Sequence, residues 1–130
     1  MLLCCQRLGG VRMEWTEKRI ENYLVRRIKS LGGKAYKFIS PGNTGVPDRL
    51  IIVPVKAGEQ SAIICFVELK RPGKQPRPQQ VAKMNELGRL GCRCYVADST
   101  EAVDKAIGVI ESERETWQKN FTPIITKNSQ

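Results

Sequence analysis

Asp48, Glu68 and Lys70 are the residues of this chain whose types and spacing could do chemistry. Asp48 follows Pro47 and leads into the apolar run Leu50-Ile51-Ile52-Val53. Glu68 closes a second run, Ile63-Ile64-Cys65-Phe66-Val67, and is followed by Leu69 and Lys70. Both runs are rich in β-branched and aromatic residues and read as buried strands. Turn formers lie between them at Lys56-Ala57-Gly58-Glu59-Gln60. A hairpin centred near Gly58 brings Asp48, at the start of one antiparallel strand, beside Glu68 at the end of the other. Side chains alternate along a strand, so Glu68 and Lys70 share a face and Leu69 turns away. Two carboxylates and one ammonium therefore converge at one end of a sheet. Hard divalent cations such as Mg2+ take carboxylates, waters and a substrate phosphate as ligands. Such an ion activates water and neutralises charge on a phosphate being cut. A lysine on the same face orients that water or stabilises the added charge.

The flanking sequence supplies elements to hold these residues. Thr16 is a candidate N-cap with Glu17 in the first turn, Ile20, Leu24, Ile28 and Leu31 recur at helical spacing, and Gly32-Gly33 ends the helix. A first strand is predicted from Ala35 to Ile39, followed by the turn-forming loop Ser40-Pro41-Gly42-Asn43-Thr44-Gly45. Arg71-Pro72-Gly73 stops the second strand of the hairpin, and a basic loop runs to Pro78. A second helix is predicted over roughly Gln79 to Leu90 with Val81, Met84 and Leu87 inward. Gln80, four residues before Met84, falls on the same stripe and needs a polar partner there. A fourth strand follows from Arg93 to Ala97. Asp98 with Glu101 has the spacing of a capping box, ahead of a third helix with the apolar stripe Val103, Ala106, Ile107 and Ile110. Beyond Glu115 periodicity is lost, although Trp117, Phe121, Ile124 and Ile125 could dock on something. The expected organisation is an extension over residues 1–15, one α/β domain over 16–115 in the order α-β-β-β-α-β-α, and a tail over 116–130. Met13-Glu14-Trp15-Thr16 reads as the more natural start, so residues 1–12 are expected to be disordered and to derive from an upstream start codon.

Composition narrows the function. A chain of 130 residues supports one core. The formal net charge of +9 points to a polyanionic partner. The absence of histidine excludes histidine-based catalysis and histidine zinc sites. The five cysteines, Cys4, Cys5, Cys65, Cys92 and Cys94, have no disulfide-framework spacing; Cys65, Cys92 and Cys94 lie in or beside predicted strands and are expected as core or half-buried thiols, which fits a reducing cytoplasm. No apolar run approaches membrane-spanning length.

Pro47-Asp48, a long gap and Glu68-Leu69-Lys70 resemble the motif of the PD-(D/E)XK nuclease superfamily. The fuller string Gly45-Val46-Pro47-Asp48-Arg49-Leu50 … Phe66-Val67-Glu68-Leu69-Lys70 is similar to the VRR-NUC family within it, over about residues 17–98. The resemblance implies a restriction-endonuclease-like core, a mixed central sheet flanked by helices. It implies Mg2+ or Mn2+ held by Asp48, Glu68 and the Leu69 backbone carbonyl. It also implies Lys70 at the attacking water, and a helix glutamate acting through water. Glu21 suits that last position better, with Glu17 as the fallback. Gln80, after Arg77-Pro78-Gln79, matches the family glutamine that contacts the site. Lys70, Arg71, Lys74 and Arg77, with Asn43 and Thr44 of the glycine-rich loop, are the candidate DNA contacts, and such phosphate contacts carry little sequence information. A second basic cluster, Lys18, Arg19, Arg26, Arg27 and Lys29, lies on the first helix.

Stand-alone phage and bacterial members resemble this chain in size and act as homodimers on branched DNA, so the expected function is a structure-specific endonuclease for four-way (Holliday) junctions. The dimer surface is not legible, with the third helix, Trp117 and Phe121 as candidates. Two rival functions are a non-catalytic DNA-binding accessory module of the same fold and a sequence-specific restriction-like enzyme. Retention of Asp48, Glu68 and Lys70 argues against the first, and the lack of added recognition elements argues against the second.

Overall fold

The computed structural model describes residues 16–56 and 59–120; the expectations for residues 1–15, Gly58, Phe121, Ile124 and Ile125 fall outside them. Helix α1 (Glu17–Ser30) leads to strands β1 (Lys34–Lys37), β2 (Arg49–Pro54) and β3 (Ala62–Leu69), then α2 (Pro78–Arg89), β4 (Arg93–Ala97) and α3 (Thr100–Asn120). The four strands form one sheet in the order β1-β2-β3-β4. β1, β2 and β3 are antiparallel neighbours, and β4 joins β3 in parallel after the α2 crossover. This is the mixed sheet with flanking helices, α-β-β-β-α-β-α, that the sequence predicts.

The core lies on one face of the sheet. Ile51 and Val53 of β2 and Ile63, Cys65, Val67 and Leu69 of β3 point into it, as period-two alternation requires. Ile20, Leu24 and Ile28 cover them from α1, and Val103, Ile107 and Ile110 from α3. Thr16 caps α1 by accepting the Arg19 N–H at 3.2 Å. At the other end Gly33 N–H bonds Ile28 O and Gly32 N–H bonds Lys29 O, with Gly32 at φ +81, so the chain turns sharply into β1.

Three expectations need correction. Val81 of α2 is 43% exposed; the buried residue of that helix is Gln80, because α2 covers the opposite face of the sheet only near its Glu68 end. Met84 and Leu87 are half-buried. Ser99, not Asp98, caps α3, its Oγ accepting the Ala102 N–H at 3.1 Å, while Asp98 Oδ2 accepts the Gly73 N–H at 3.4 Å. α3 also continues through residues 116–120, which the sequence leaves without periodicity. Its last turns are fastened by Arg114, which donates to Leu31 O and Pro54 O, and by Gln118, which donates to Val55 O. Among the described residues, no helix is long and apolar enough to cross a membrane.

Candidate active site

The hairpin register sets the site. Arg49 pairs with Val67 at the end of the β2–β3 ladder, so Asp48 and Glu68 lie opposite each other one step beyond it. Asp48 leaves the loop after the fully buried Pro47. Its Oδ1 accepts the Leu69 N–H at 3.3 Å. Glu68 is 4% exposed and points away from the main core, towards α2. Its Oε2 accepts from Gln80 Nε2 at 2.8 Å and pairs with Lys70 Nζ at 3.3 Å. Gln80 is itself fixed, since its Oε1 accepts the Arg77 N–H at 2.8 Å across the first turn of α2. A strand end, a loop and a helix N-terminus thus meet on one carboxylate.

Close approach of the loop to α2 depends on Gly45. It sits at φ +92, and a Cβ there would lie 2.6 Å from the Gln79 carbonyl oxygen. Only glycine serves both requirements.

The electrostatics match the geometry. Burial raises the Glu68 carboxyl above its usual range, the neighbouring Asp48 charge adds to this, and Lys70 opposes it. Asp48 is raised by burial and then by the Glu17 charge, with the Leu69 N–H and Arg49 opposing. Two desolvated carboxylates that repel each other suit a hard cation, which would relieve both penalties. Among the described residues no group of three or more carboxylate or thiol side chains closes around one point. The Asp48–Glu68 pair is therefore not an all-protein cage, and a hard cation held there would complete its shell with waters and a phosphate.

The remaining expected residues divide into three groups. Glu21 does not face the carboxylate pair; it is held by Arg49 Nη2 on one oxygen and by Lys18 Nζ at 3.1 Å on the other. Burial alone would raise its pKa, but Arg49 and Lys18 outweigh that and hold it low. Glu17, one turn earlier, is the helix carboxylate whose charge reaches Asp48. Lys70 belongs to the buried site through its pairing with Glu68, rather than to the exposed loop. Arg71, Lys74, Arg77, Asn43 and Thr44 are all exposed, on the loops that precede α2 and Asp48. Arg27 leaves the helix-one basic cluster to bind Asp104 and Tyr23, tying α1 to α3.

The sequence points to no role for Arg49, and for Asp98 it points to a helix cap rather than to the Gly73 N–H. Alternation along Arg49-Ile51-Val53 puts an arginine on the core face, where it must find a partner, and that was the available signal for Arg49. Asp98 carried a misleading signal, since its spacing to Glu101 suited a cap.

These features define a PD-(D/E)XK-type nuclease fold, with Asp48, Glu68 and Lys70 together at one end of its sheet. A solved structure described as a VRR_NUC domain is similar to this chain at 33% identity and a TM-score of 0.61, over 71% of this chain and 94% of that one. The protein "Putative nuclease p44" of Acyrthosiphon pisum secondary endosymbiont phage 1 is 44% identical over 85 residues, 65% of this chain and 85% of its own length. No family model matches the chain. With that identity and coverage, the chain belongs to the VRR-NUC family of nucleases.

Proposed function

We propose that this nuclease is a metal-dependent endonuclease that hydrolyses phosphodiesters in branched DNA, four-way junctions foremost, and acts as a homodimer. The observation that carries the catalytic part is the convergence of Gln80 and Lys70 on one oxygen of buried Glu68, with Asp48 opposite. Asp48, Glu68 and the Leu69 carbonyl would hold Mg2+ or Mn2+. When bound, such an ion supplies charge neutralisation at the phosphate and a more acidic water. Glu17 is the helix carboxylate we assign to act through water, because Glu21 is engaged by Arg49 and Lys18.

The chain's own residues do the rest. Lys70 donates hydrogen bonds to the attacking water and orients it for in-line displacement, and its charge opposes the negative charge that grows on the phosphate oxygens. Gln80 keeps Glu68 in one rotamer. Arg71, Lys74 and Arg77, with Asn43 and Thr44 of the loop before Asp48, contact phosphates and so favour shape over sequence. A two-fold homodimer would offer two such sites for paired incisions in opposing strands. The apolar side chains exposed on the described surface include Ile64 (54%) on the sheet face and Trp117 (44%) on α3.

A cleavage panel tests the reading. Four-way junction, flap, linear duplex and single strand are incubated with Mg2+, Mn2+ or chelator, with Lys70→Ala as control. Metal-dependent junction cutting that disappears in the variant is expected. Cutting of linear duplex at a defined sequence would replace the junction reading with a restriction-like one. Binding without cutting on every substrate would favour an accessory module. Light scattering of the free protein checks the dimer, and a monomer mass would remove it.

A further inference from the structure

Arg49 directly follows Asp48, yet its side chain turns to the other face of the sheet and reaches under α1. Its Nη1 donates to the Ala35 carbonyl at 2.9 Å, and its Nη2 pairs with Glu21 Oε2. The Arg49 and Glu21 side chains are each only 12% exposed. Lys18, on the other oxygen of Glu21, is 73% exposed and is a weak partner by comparison. The guanidinium therefore ties three elements together at one point: the first strand by its backbone, the second by its own position, and α1 through Glu21.

That point lies one helical turn from Glu17, about 6 Å along the axis. It also lies one residue from Asp48 along the strand. The pair has the geometry to fix both the rotation and the axial position of the first turn of α1 relative to the strand end that carries Asp48. We infer that Arg49 and Glu21 form a positioning pair, touching neither metal nor DNA, that sets the distance between Glu17 and Asp48. This rests on the metal-site reading above and deepens it by giving the second helix glutamate a different role from the first. Its physical basis is that an arginine fork at a fixed backbone carbonyl is pre-organised, so little entropy is lost in holding the helix. A displacement of about 1 Å in such a site costs up to about 100-fold in rate.

A double-mutant cycle on the full chain tests it: Glu21→Gln, Arg49→Met and the two combined, with Glu17→Gln and wild type alongside. The readouts are kcat on the fastest-cut DNA of the panel, the Mn2+ dissociation constant by calorimetry, and thermal melts to verify folding. Each single variant of the pair is expected to lower kcat by about 10- to 100-fold. The double is expected to be no slower than Arg49→Met alone, because Glu21 acts only through Arg49. Arg49→Lys is expected to recover part of the loss. Losses that multiply in the double would mean that Glu21 works independently of Arg49, as a metal-site carboxylate does, and would overturn the inference. Near-native kcat in a folded Glu21→Gln variant would also overturn it, whether or not Arg49→Met folds. A wild-type chain that neither binds Mn2+ nor cuts any substrate would overturn the metal-site reading itself, and this inference with it.

Discussion

Gln80 Nε2 donates to Glu68 Oε2 at 2.8 Å, and both side chains are almost fully buried. The bond crosses from the N-terminal turn of α2 to the end of β3, so it fixes the side-chain rotamer of a carboxylate that faces another carboxylate. Removing the donor leaves Glu68 with the same burial and the same repulsion from the Asp48 charge, with Lys70 and the Asp48 backbone N–H left to hold its carboxylate. Gln80→Leu, close in volume, is therefore expected to reduce metal affinity and cleavage by about 10- to 100-fold, the range found for groups that orient metal ligands. Calorimetry with Mn2+ and single-turnover cleavage would check this. A variant within twofold of wild type in both would make the contact incidental.

Gly45 and Gly42 have the same left-handed backbone but different surroundings. Gly42 has nothing within 4 Å of where a Cβ would stand, whereas at Gly45 that Cβ would meet the backbone of Gln79. Gly42→Ala is expected to lose only the conformational preference, about 1–2 kcal/mol. Gly45→Ala adds displacement of the first turn of α2, and with it Gln80, so it should lose more stability and most of its cleavage. Denaturant melts and cleavage of the pair would test this, and equal losses in both would mean that the loop does not need its close approach to α2.

The register of Asp48 against Glu68 was readable from the sequence because alternation and turn composition act locally and leave few choices. The pairing of Pro54 with Ala62 centres the hairpin where the turn formers lie. The partner of Arg49 was not readable in this way. Glu21 lies 28 residues earlier on a helix whose rotation over the sheet is set by packing, so spacing alone favoured Glu21 over Glu17, whereas the fold turns Glu21 to Arg49 and leaves Glu17 as the one whose charge reaches Asp48. Val81 failed for a related reason: helical periodicity identifies a stripe, but how much of the stripe is covered depends on where the helix stops over the sheet. Asp98 failed because two acceptors stand side by side, and only the backbone decides that Ser99 takes the cap.

Arg71 and Lys74 are exposed on the loop between β3 and α2, and Asp98 holds that loop through the Gly73 N–H. If the two side chains each neutralise one phosphate, replacing both with alanine should weaken DNA binding at low salt. It should also reduce the slope of log affinity against log salt by about 1.8, at about 0.9 per contact. Cleavage at saturating DNA should change little, because neither residue touches Glu68 or Asp48. Fluorescence anisotropy over a salt series would decide it, and an unchanged slope would remove the loop from the interface.

Asp48 carries the stability prediction. Its carboxyl lies above the usual range because of burial first and the Glu17 charge second, which the Leu69 N–H and Arg49 only partly offset. A carboxyl whose pKa is higher folded than unfolded holds its proton more tightly in the folded chain, so ionising it costs stability. The cost is absent below the unfolded pKa, about 3.9. It grows as pH rises through the interval to the folded pKa and is complete above that. In chelator at neutral pH, Asp48→Asn is therefore expected to melt above wild type, since the amide oxygen can still accept the Leu69 N–H. The difference should shrink as pH falls through the carboxylate range. Added Mg2+ or Mn2+ should reverse the order, stabilising wild type by about 2.7 kcal/mol at a hundredfold excess over Kd while the variant gains far less. Calorimetric melts across pH, with and without metal, would test both halves. Identical wild-type and variant melting in chelator would mean that the fold bears no penalty for the Asp48 charge, and equal metal stabilisation would mean that the ion binds elsewhere.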